Sequence, residues 1–290
     1  MSVLFCFGLG YTARTLAARL MAQGWRVAGT ARSEKTLQSI RDFGADAVLF
    51  DGRGPNPEVA ELLKRSTHVL HSIRPDDDGD AVLVHHGHDL ARAPDLAWIG
   101  YLSTVGVYGD RGGAWIDEET PPAPLSQGAL RRVAAENLWM RFGAENRKAV
   151  RRFRLSGIYG PGRNALVALR SGKARRIVKP GQVFNRAHVA DIASVLEASI
   201  AQPGAGAVYN VADDMPAPPQ DVVTYAAELL GVEPPPEVAF EDAELSPMAR
   251  KFYGECKRVR NGLIKTELGV ELAFPTYREG LRALAAELAG

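Results

Sequence analysis

Cysteine is scarce: the chain of 290 residues carries two, Cys6 and Cys256. Cys6 falls inside Val3-Leu4-Phe5-Cys6-Phe7, an apolar run that reads as a buried strand. A disulfide framework is therefore not expected, and a reducing, cytoplasmic setting is. Long apolar runs are also missing, since none approaches the ~20 residues of a membrane-spanning helix. The N-terminus is apolar, but no basic stretch precedes it and glycines follow at once. It is expected to be a strand rather than a secretory signal. Charge of one sign is absent too: 35 Lys and Arg stand against 34 Asp and Glu. No global field exists to gather nucleic acid or an anionic membrane, so neither is expected as a partner. No internal repeat is found, which sets aside solenoids and propellers.

What is present is an ordinary globular composition, 46% hydrophobic and 24% charged, in a chain long enough for one large α/β domain or one domain with a smaller lobe. The first half alternates short apolar runs with amphipathic stretches. Strands are predicted at Val3–Phe7, Arg26–Thr30, Ala47–Phe50, His68–Ser72, Ala97–Ser103 and Ala149–Leu155. Helices between them are predicted at Thr12–Gln23, Glu34–Phe43, Pro57–Lys64, Asp80–Ala91 and Ala129–Phe142. This alternation predicts an α/β fold of the Rossmann type, a doubly wound parallel sheet covered on both faces. The second half is punctuated by Gly160-Pro161-Gly162, Lys179-Pro180-Gly181 and Pro234-Pro235-Pro236. Short strands are predicted near Gln182–Asn185, Val208–Val211 and Glu237–Phe240. Helices are predicted at Val189–Ile200, Pro219–Leu230, Asn261–Leu268 and Tyr277–Leu288. Residues 1–160 are read as the dinucleotide-binding domain, with later segments returning to it, and 161–290 as a smaller α+β lobe on the substrate side.

The turn Gly8-Leu9-Gly10-Tyr11-Thr12-Ala13 follows a predicted strand and opens a predicted helix. In that context Gly8 permits the tight turn and Gly10 lets the backbone approach a pyrophosphate. Ala13 allows close helix–strand packing. The helix N-terminus would present N–H groups and partial positive charge to the phosphates, with Tyr11 and Thr12 beside them. The plain alternative is a turn that only joins strand to helix. Cofactor choice rests on the end of the second strand, Ala28-Gly29-Thr30-Ala31-Arg32-Ser33, which lacks the acid that an NAD site places there. Arg32 would pair with a 2′-phosphate and Ser33 would add a hydroxyl, so NADP is expected over NAD. A solvated helix-start arginine is the alternative. Asp51 is placed to accept from an adenine amine, or to act as a loop cap. Ser72 and Ile73 end the fourth strand, where the chain should pass beneath the cofactor.

Further motifs accumulate downstream. Tyr101-Leu102-Ser103-Thr104-Val105-Gly106-Val107-Tyr108-Gly109 resembles the fifth-strand motif of extended short-chain dehydrogenases/reductases. Arg154-Leu155-Ser156-Gly157-Ile158-Tyr159-Gly160-Pro161-Gly162 resembles their sixth-strand motif. Asn185-Arg186-Ala187-His188-Val189-Ala190-Asp191 and Val208-Tyr209-Asn210-Val211 resemble their C-terminal signatures. Asn261, Leu268-Gly269 and Pro275-Thr276-Tyr277-Arg278-Glu279-Gly280-Leu281 resemble their closing helices. The resemblance covers nearly the whole chain. Its relatives include NAD(P)-dependent sugar-nucleotide epimerases and dehydratases, which implies a small-molecule substrate of that kind. It also places Leu102, Leu155 and Ile158 along the cofactor, and it implies a monomer or a homodimer paired through the fourth and fifth helices.

That family works with a Tyr, a Lys four residues later and an upstream hydroxyl. The Lys cation brings the Tyr pKa down from ~10 toward working pH, so that the phenol can move a proton. Here Ser103-Thr104 supplies the hydroxyl, with Thr104 at the matching position. Anchoring the helix on Ala135-Glu136 puts Gly128 where the Tyr belongs and Arg132 where the Lys belongs. Gly128 has no side chain to move a proton, and Arg132 stays charged and cannot act as an acid. No tyrosine lies between Tyr108 and Tyr159, so no other register repairs the pair. The resemblance is therefore to atypical members with a degraded active site. In some of these an Asp replaces a structural Asn, and the usual interval back from Thr104 falls near Asp80. A helix cap is the other reading of Asp80.

Tyr108 and Tyr159 are weighed as substrate-side residues against plain packing, and the basic stretch holding Arg175 as a contact for an anionic substrate or a cofactor phosphate against a solvated face. Asp117, Glu118 and Glu119 stand in the loop that carries substrate-side residues in the relatives. His85-His86-Gly87-His88-Asp89 lacks a further ligand at zinc spacing, so no metal is expected. Three functions stay open: an NADP-dependent oxidoreductase, epimerase or dehydratase with an unorthodox proton donor; a non-catalytic NAD(P)-binding redox sensor or scaffold; and an interaction protein that has lost the cofactor, against which the intact Gly8/Gly10 turn and Arg32 count.

Overall fold

A computed structural model describes residues 1–202, 204 and 206–289. The chain runs β1 (Val3–Phe7), α1 (Tyr11–Ala22), β2 (Arg26–Ala31), α2 (Glu34–Asp42), β3 (Asp46–Leu49), α3 (Pro57–Lys64), β4 (His68–His71), α4 (Ala81–Arg92) and β5 (Trp98–Thr104). It continues through β6 (Trp115–Ile116), α5 (Gln127–Asn146), β7 (Val150–Leu155), β8 (Gly157–Tyr159), α6 (Ala165–Arg170), β9 (Arg176–Val178), β10 (Arg186–His188), α7 (Val189–Ala201) and β11 (Val208–Val211). The last stretch holds α8 (Pro219–Leu230), β12 (Glu237–Ala239), α9 (Pro247–Tyr253), β13 (Arg258–Val259), α10 (Gly262–Thr266) and α11 (Tyr277–Ala289). Among the described residues no helix is long and apolar enough to cross a membrane.

Two compact units form. The first takes Met1–Thr104, Gln127–Arg154 and Ala193–Tyr209, and the second takes Val105–Ser126, Leu155–Ile192 and Asn210–Gly290. A seven-stranded parallel sheet in the order β11-β7-β5-β4-β1-β2-β3 gives the chain its Rossmann-like α/β fold. Leu4 of β1 pairs with Val27 on one side and with His68 on the other. The strand order therefore reverses beside β1, and in doubly wound sheets ligands bind outside the carboxyl ends of the strands at that reversal. Central strands buried on both faces need apolar residues at every position, and β1 has them: Leu4, Phe5, Cys6 and Phe7 are all fully buried. Phe5 and Phe7 meet edge to face at 4.9 Å, and Phe7 meets Phe50 at 5.7 Å. They join Val69, Ile99, Tyr101 and Trp139 in the core of the first unit.

Helix starts follow the side chains just outside them. Ser33 accepts from Thr36 N, Asn56 from Glu58 N, and Asp80 from both Val82 N and Leu83 N. Helix α8 has Pro219 in its first turn and closes at Gly231 with φ +64°. The second unit has its own core, in which Tyr159, Leu166, Val222, Ala226, Tyr277 and Leu281 pack together.

One expectation changes, and one strand forms as expected and gains its place in the sheet. No strand forms over Gln182–Asn185; the strand is β10, Arg186–His188, which pairs with β8. Within the expected run Phe184 makes one bridge to Ala217, while the Asn185 amide donates to Lys257 O and accepts from Val259 N. Side-chain bonds and a single bridge replace the ladder there. Val208–Val211, expected in the second half without a sheet assignment, is the edge strand of the central sheet.

Candidate functional site

The glycine turn is held from both neighbouring strands. Gly8 sits at φ +83°, a conformation that costs an L-residue, and a Cβ there would lie 2.8 Å from Ser72 Oγ. Gly8 N donates to Thr30 Oγ1 at 2.8 Å and Leu9 N to Thr30 O at 3.1 Å. From the other side Ser72 Oγ donates to Gly8 O at 2.5 Å and lies 3.1 Å from Phe7 O. Gly10 is different. Its backbone is extended and suits any residue, yet a Cβ built there meets no atom within 4 Å. Gly10 is the N-cap of α1, with no side-chain cap and no acid in the first turn. The positive end of a 12-residue helix thus opens onto an exposed glycine beside empty space. A pyrophosphate fits that arrangement, because it needs donors and room and both are left by the sequence.

Arg32 and Ser33 follow β2 and are exposed. The Ser33 hydroxyl accepts from Thr36 N at 3.4 Å and pairs with Thr36 Oγ1 at 2.9 Å, so it caps α2. Arg32 has no hydrogen bond or ion pair among the described residues. Asp51 is exposed and accepts from Arg53 N at 3.0 Å. Tyr11, Ser72 and Ile73 are half-buried and Thr12 is buried. Leu102 is buried in the first unit; in the second, Leu155 is buried and Ile158 half-buried.

The end of β5 carries the hydroxyls. Ser103 is buried and its Oγ donates to Glu136 Oε1 at 2.5 Å. Glu136 is itself held by Arg154, whose Nη2 and Nε reach its carboxylate at 2.7 and 3.2 Å, and by Arg152 at 3.5 Å. Thr104, next along the strand, is half-buried. From α5 the Arg132 Nη1 donates to Leu102 O at 2.9 Å and to Tyr101 OH at 3.1 Å, with its guanidinium over the Tyr101 ring. That fixes a permanent cation beside the end of β5. Gly128, one turn earlier, is exposed, and a Cβ there would touch nothing within 4 Å.

Asp80 is buried and spends both oxygens. Oδ1 accepts from Val82 N and Leu83 N at 3.2 Å, and Oδ2 meets His71 Nε2 at 2.8 Å and Trp139 Nε1 at 3.0 Å. Ile73 N points at His71 Nδ1, so Nε2 carries the proton that the carboxylate accepts. Burial pushes the Asp80 pKa up, but His71, Trp139 and the Leu83 N–H more than reverse this and hold it below the ordinary range. The helix-cap reading of Asp80 therefore holds, with a buried His–Asp–Trp bond network added to it.

In the second unit Tyr108 is buried and its hydroxyl donates to Asn210 Oδ1 at 2.8 Å. Glu118 accepts from Asn210 N at 2.8 Å, while Asp117 caps its own turn through Thr120. Tyr159 is buried, its hydroxyl 3.4 Å from Thr276 O, and burial raises its pKa further from neutrality. Arg175 is exposed and donates to Glu244 O. His86 is buried between Asp89 and Asn56 N, and His85 meets Gly52 O. No group of three His, Cys, Asp or Glu among the described residues is placed to hold a metal.

Sequence reasoning passed over several residues that position these groups. Thr30 ties the glycine turn to β2, Tyr101 holds Arg132, and Glu136 with Arg154 holds Ser103. Glu136 and Arg154 lie inside recognisable motifs, but nothing in their spacing says that they meet. Tyr101 and Thr30 also lie inside segments already singled out, but nothing in their spacing says what their side chains hold.

The sequence model of the NAD dependent epimerase/dehydratase family matches residues 8–212. The protein YeeZ of Escherichia coli K12 is 27% identical over 278 residues, which covers 92% of this chain and 94% of YeeZ. A conserved protein of unknown function from Silicibacter pomeroyi DSS is 50% identical, with complete coverage of both chains and a TM-score of 0.91. A dTDP-glucose 4,6-dehydratase from Bacillus anthracis, solved with NAD, shares the fold at 18% identity and a TM-score of 0.79, covering 100% of this chain and 96% of its own.

Proposed function

The chain belongs to the NAD dependent epimerase/dehydratase family, and from that premise we propose that it binds NADP and acts on a small molecule as an oxidoreductase or epimerase with a degenerate Tyr-Lys site. One observation carries the cofactor half of the reading: α1 starts at Gly10 with no side-chain cap, and a Cβ at Gly10 meets open space. Gly8, Gly10 and the first turn of α1 hold the pyrophosphate. Arg32, exposed and unpaired among the described residues, takes the 2′-phosphate through its planar fork. When bound, the nicotinamide supplies a hydride donor or acceptor.

The chain's own residues then do less than in relatives with a complete pair. Thr104 orients a substrate oxygen at the end of β5. Ser103, its hydroxyl turned to Glu136, positions that strand end and does not touch substrate. Arg132 presents a fixed positive charge where a lysine would stand. No phenol stands at Gly128, so the proton is moved by water or by a group on the substrate, and rates are low where a strong acid is needed. A nucleotide sugar is the substrate class that the family's enzymes suggest.

Isothermal titration with the oxidised and reduced forms of both dinucleotides tests the reading. NADP(H) is expected to bind at least tenfold tighter than NAD(H). Arg32→Ala removes that advantage and leaves NAD(H) within about twofold, since a charged hydrogen-bonded contact is worth roughly 1.5–3 kcal/mol. Tighter binding of NAD sinks the NADP assignment. Gly128 also favours a second reading, in which the protein binds the dinucleotide as a redox sensor or scaffold without turnover. NADPH bound but never oxidised across a panel of nucleotide sugars and simple carbonyls selects that reading.

A further inference from the structure

The second unit holds a half-open pocket of about 240 Å³ that no residue of the glycine turn or of β2 lines. Tyr159 of β8, Arg186 of β10, Val222 and Val223 of α8, and Tyr277 and Leu281 of α11 line it. One charged group breaks this largely apolar wall. Arg186 Nη1 donates to two backbone carbonyls, Phe184 O at 3.0 Å and Ala217 O at 3.2 Å. Among the described residues Arg186 has no ion pair, and its Nε and Nη2 have no hydrogen bond. Burial lowers its pKa, and the nearby Asp213 works against that shift. Asp213 does not neutralise it by contact: its Oδ1 accepts from Met215 N and its Oδ2 has no hydrogen-bond partner among the described residues.

Arg186 is half-buried, and partly withdrawing a guanidinium from water without an anion carries a cost that two carbonyl dipoles offset only in part. Nη1 is occupied, and the opposite edge of the fork, Nε with Nη2, is the edge that takes a carboxylate in bidentate fashion. We propose that this cavity binds a small organic monocarboxylate, its oxygens on the Nε–Nη2 edge of Arg186 and its apolar body against Val222, Val223, Leu281 and Tyr277. Charge and wall chemistry narrow the class. A phosphate dianion brings two charges and three acceptor oxygens to a wall with one cation. A sugar brings many hydroxyls, and beside Arg186 only the hydroxyls of Tyr159 and Tyr277 could meet them in a wall otherwise of Val222, Val223 and Leu281. The volume lies below the roughly 300–1,000 Å³ of drug-sized sites, so the ligand is small.

The test uses the full chain and no dinucleotide, so its outcome is independent of the cofactor assignment. Benzoate, hexanoate and benzamide, the uncharged counterpart of benzoate, are titrated by calorimetry at constant ionic strength. Benzoate is expected to bind at least tenfold tighter than benzamide, the loss that follows from removing a charged hydrogen-bonded contact. Arg186→Gln is expected to weaken benzoate at least tenfold and leave benzamide within twofold. Val223→Phe, which fills the cavity and leaves Arg186 in place, is expected to abolish both. Equal binding of benzoate and benzamide overturns the proposal, as does wild-type benzoate affinity in Arg186→Gln. No saturable binding of either carboxylate also overturns it. Should Arg186→Gln not fold, the benzoate–benzamide comparison and Val223→Phe decide alone.

Discussion

Gly8 and Gly10 stand two residues apart and are required for different physical reasons. Gly8 is demanded by the backbone: its φ is +83°, and any Cβ at this position would lie 2.8 Å from Ser72 Oγ, so no other residue fits comfortably. Gly8→Ala is expected to cost about 1–3 kcal/mol and to lower the thermal midpoint by several degrees. Gly10 has an extended backbone and empty space around it. Gly10→Val is therefore expected to change stability by less than about 1 kcal/mol, within the range of cap substitutions, while abolishing dinucleotide binding. Thermal unfolding and calorimetric titration of the two variants separate these roles. Equal loss of stability at both positions would contradict the assignment. The motif marked both glycines, but not the division of labour, because that depends on where β4 places Ser72.

At the level of elements, β5, α5 and β7 are joined by one buried carboxylate. Glu136 on α5 takes the Ser103 hydroxyl from β5 and the Arg154 guanidinium from β7. Both charges are almost fully buried. A buried pair contributes little by its presence, but breaking it leaves a charge without compensation. Glu136→Gln is expected to destabilise the chain by about 3–5 kcal/mol, read as a lower urea midpoint. A shift of less than about 1 kcal/mol would show that Arg154 finds another partner. In the sequence Ala135-Glu136 served as a register mark, and that register identified Gly128 and Arg132. Where Arg132 goes, to Leu102 O and Tyr101 OH, could not be read, since strand β5 and helix α5 are separated by more than twenty residues.

For the whole molecule the buried acids set a pH dependence. Burial raises the Asp213 pKa to about 7, with Arg186 opposing that shift and Asp191 and Asp214 adding to it. The native state then holds a proton that the unfolded chain releases near its ordinary value of 3.8. More protons in the native state make stability fall as pH rises, starting above about pH 4 and ending just above pH 7. The contribution lost is on the order of 4 kcal/mol. Asp213→Asn is expected to unfold later than the wild type at pH 8 and to differ little at pH 4. Thermal unfolding across that range checks it, and a larger difference at the acidic end would reverse the sign. The fold itself was legible from β–α alternation, because a parallel sheet buried on both faces needs that pattern. The short elements of the second unit were not, since α6, α9 and β13 span few residues and rest on tertiary contacts.

Local chemistry determined the glycine turn, the order of strands and helices in the first half, the lack of a tyrosine between Tyr108 and Tyr159, and the arginine after β2. Each depends on neighbours within one turn or one strand. Tertiary structure decided which side chains are spent on holding others. It turned Ser103 toward Glu136, closed Asp80 between His71 and Trp139, made Val208–Val211 the edge of the central sheet, and left Arg186 without an ion pair among the described residues. These outcomes depend on packing between residues far apart in the chain, where spacing carries no information and burial sets the energy.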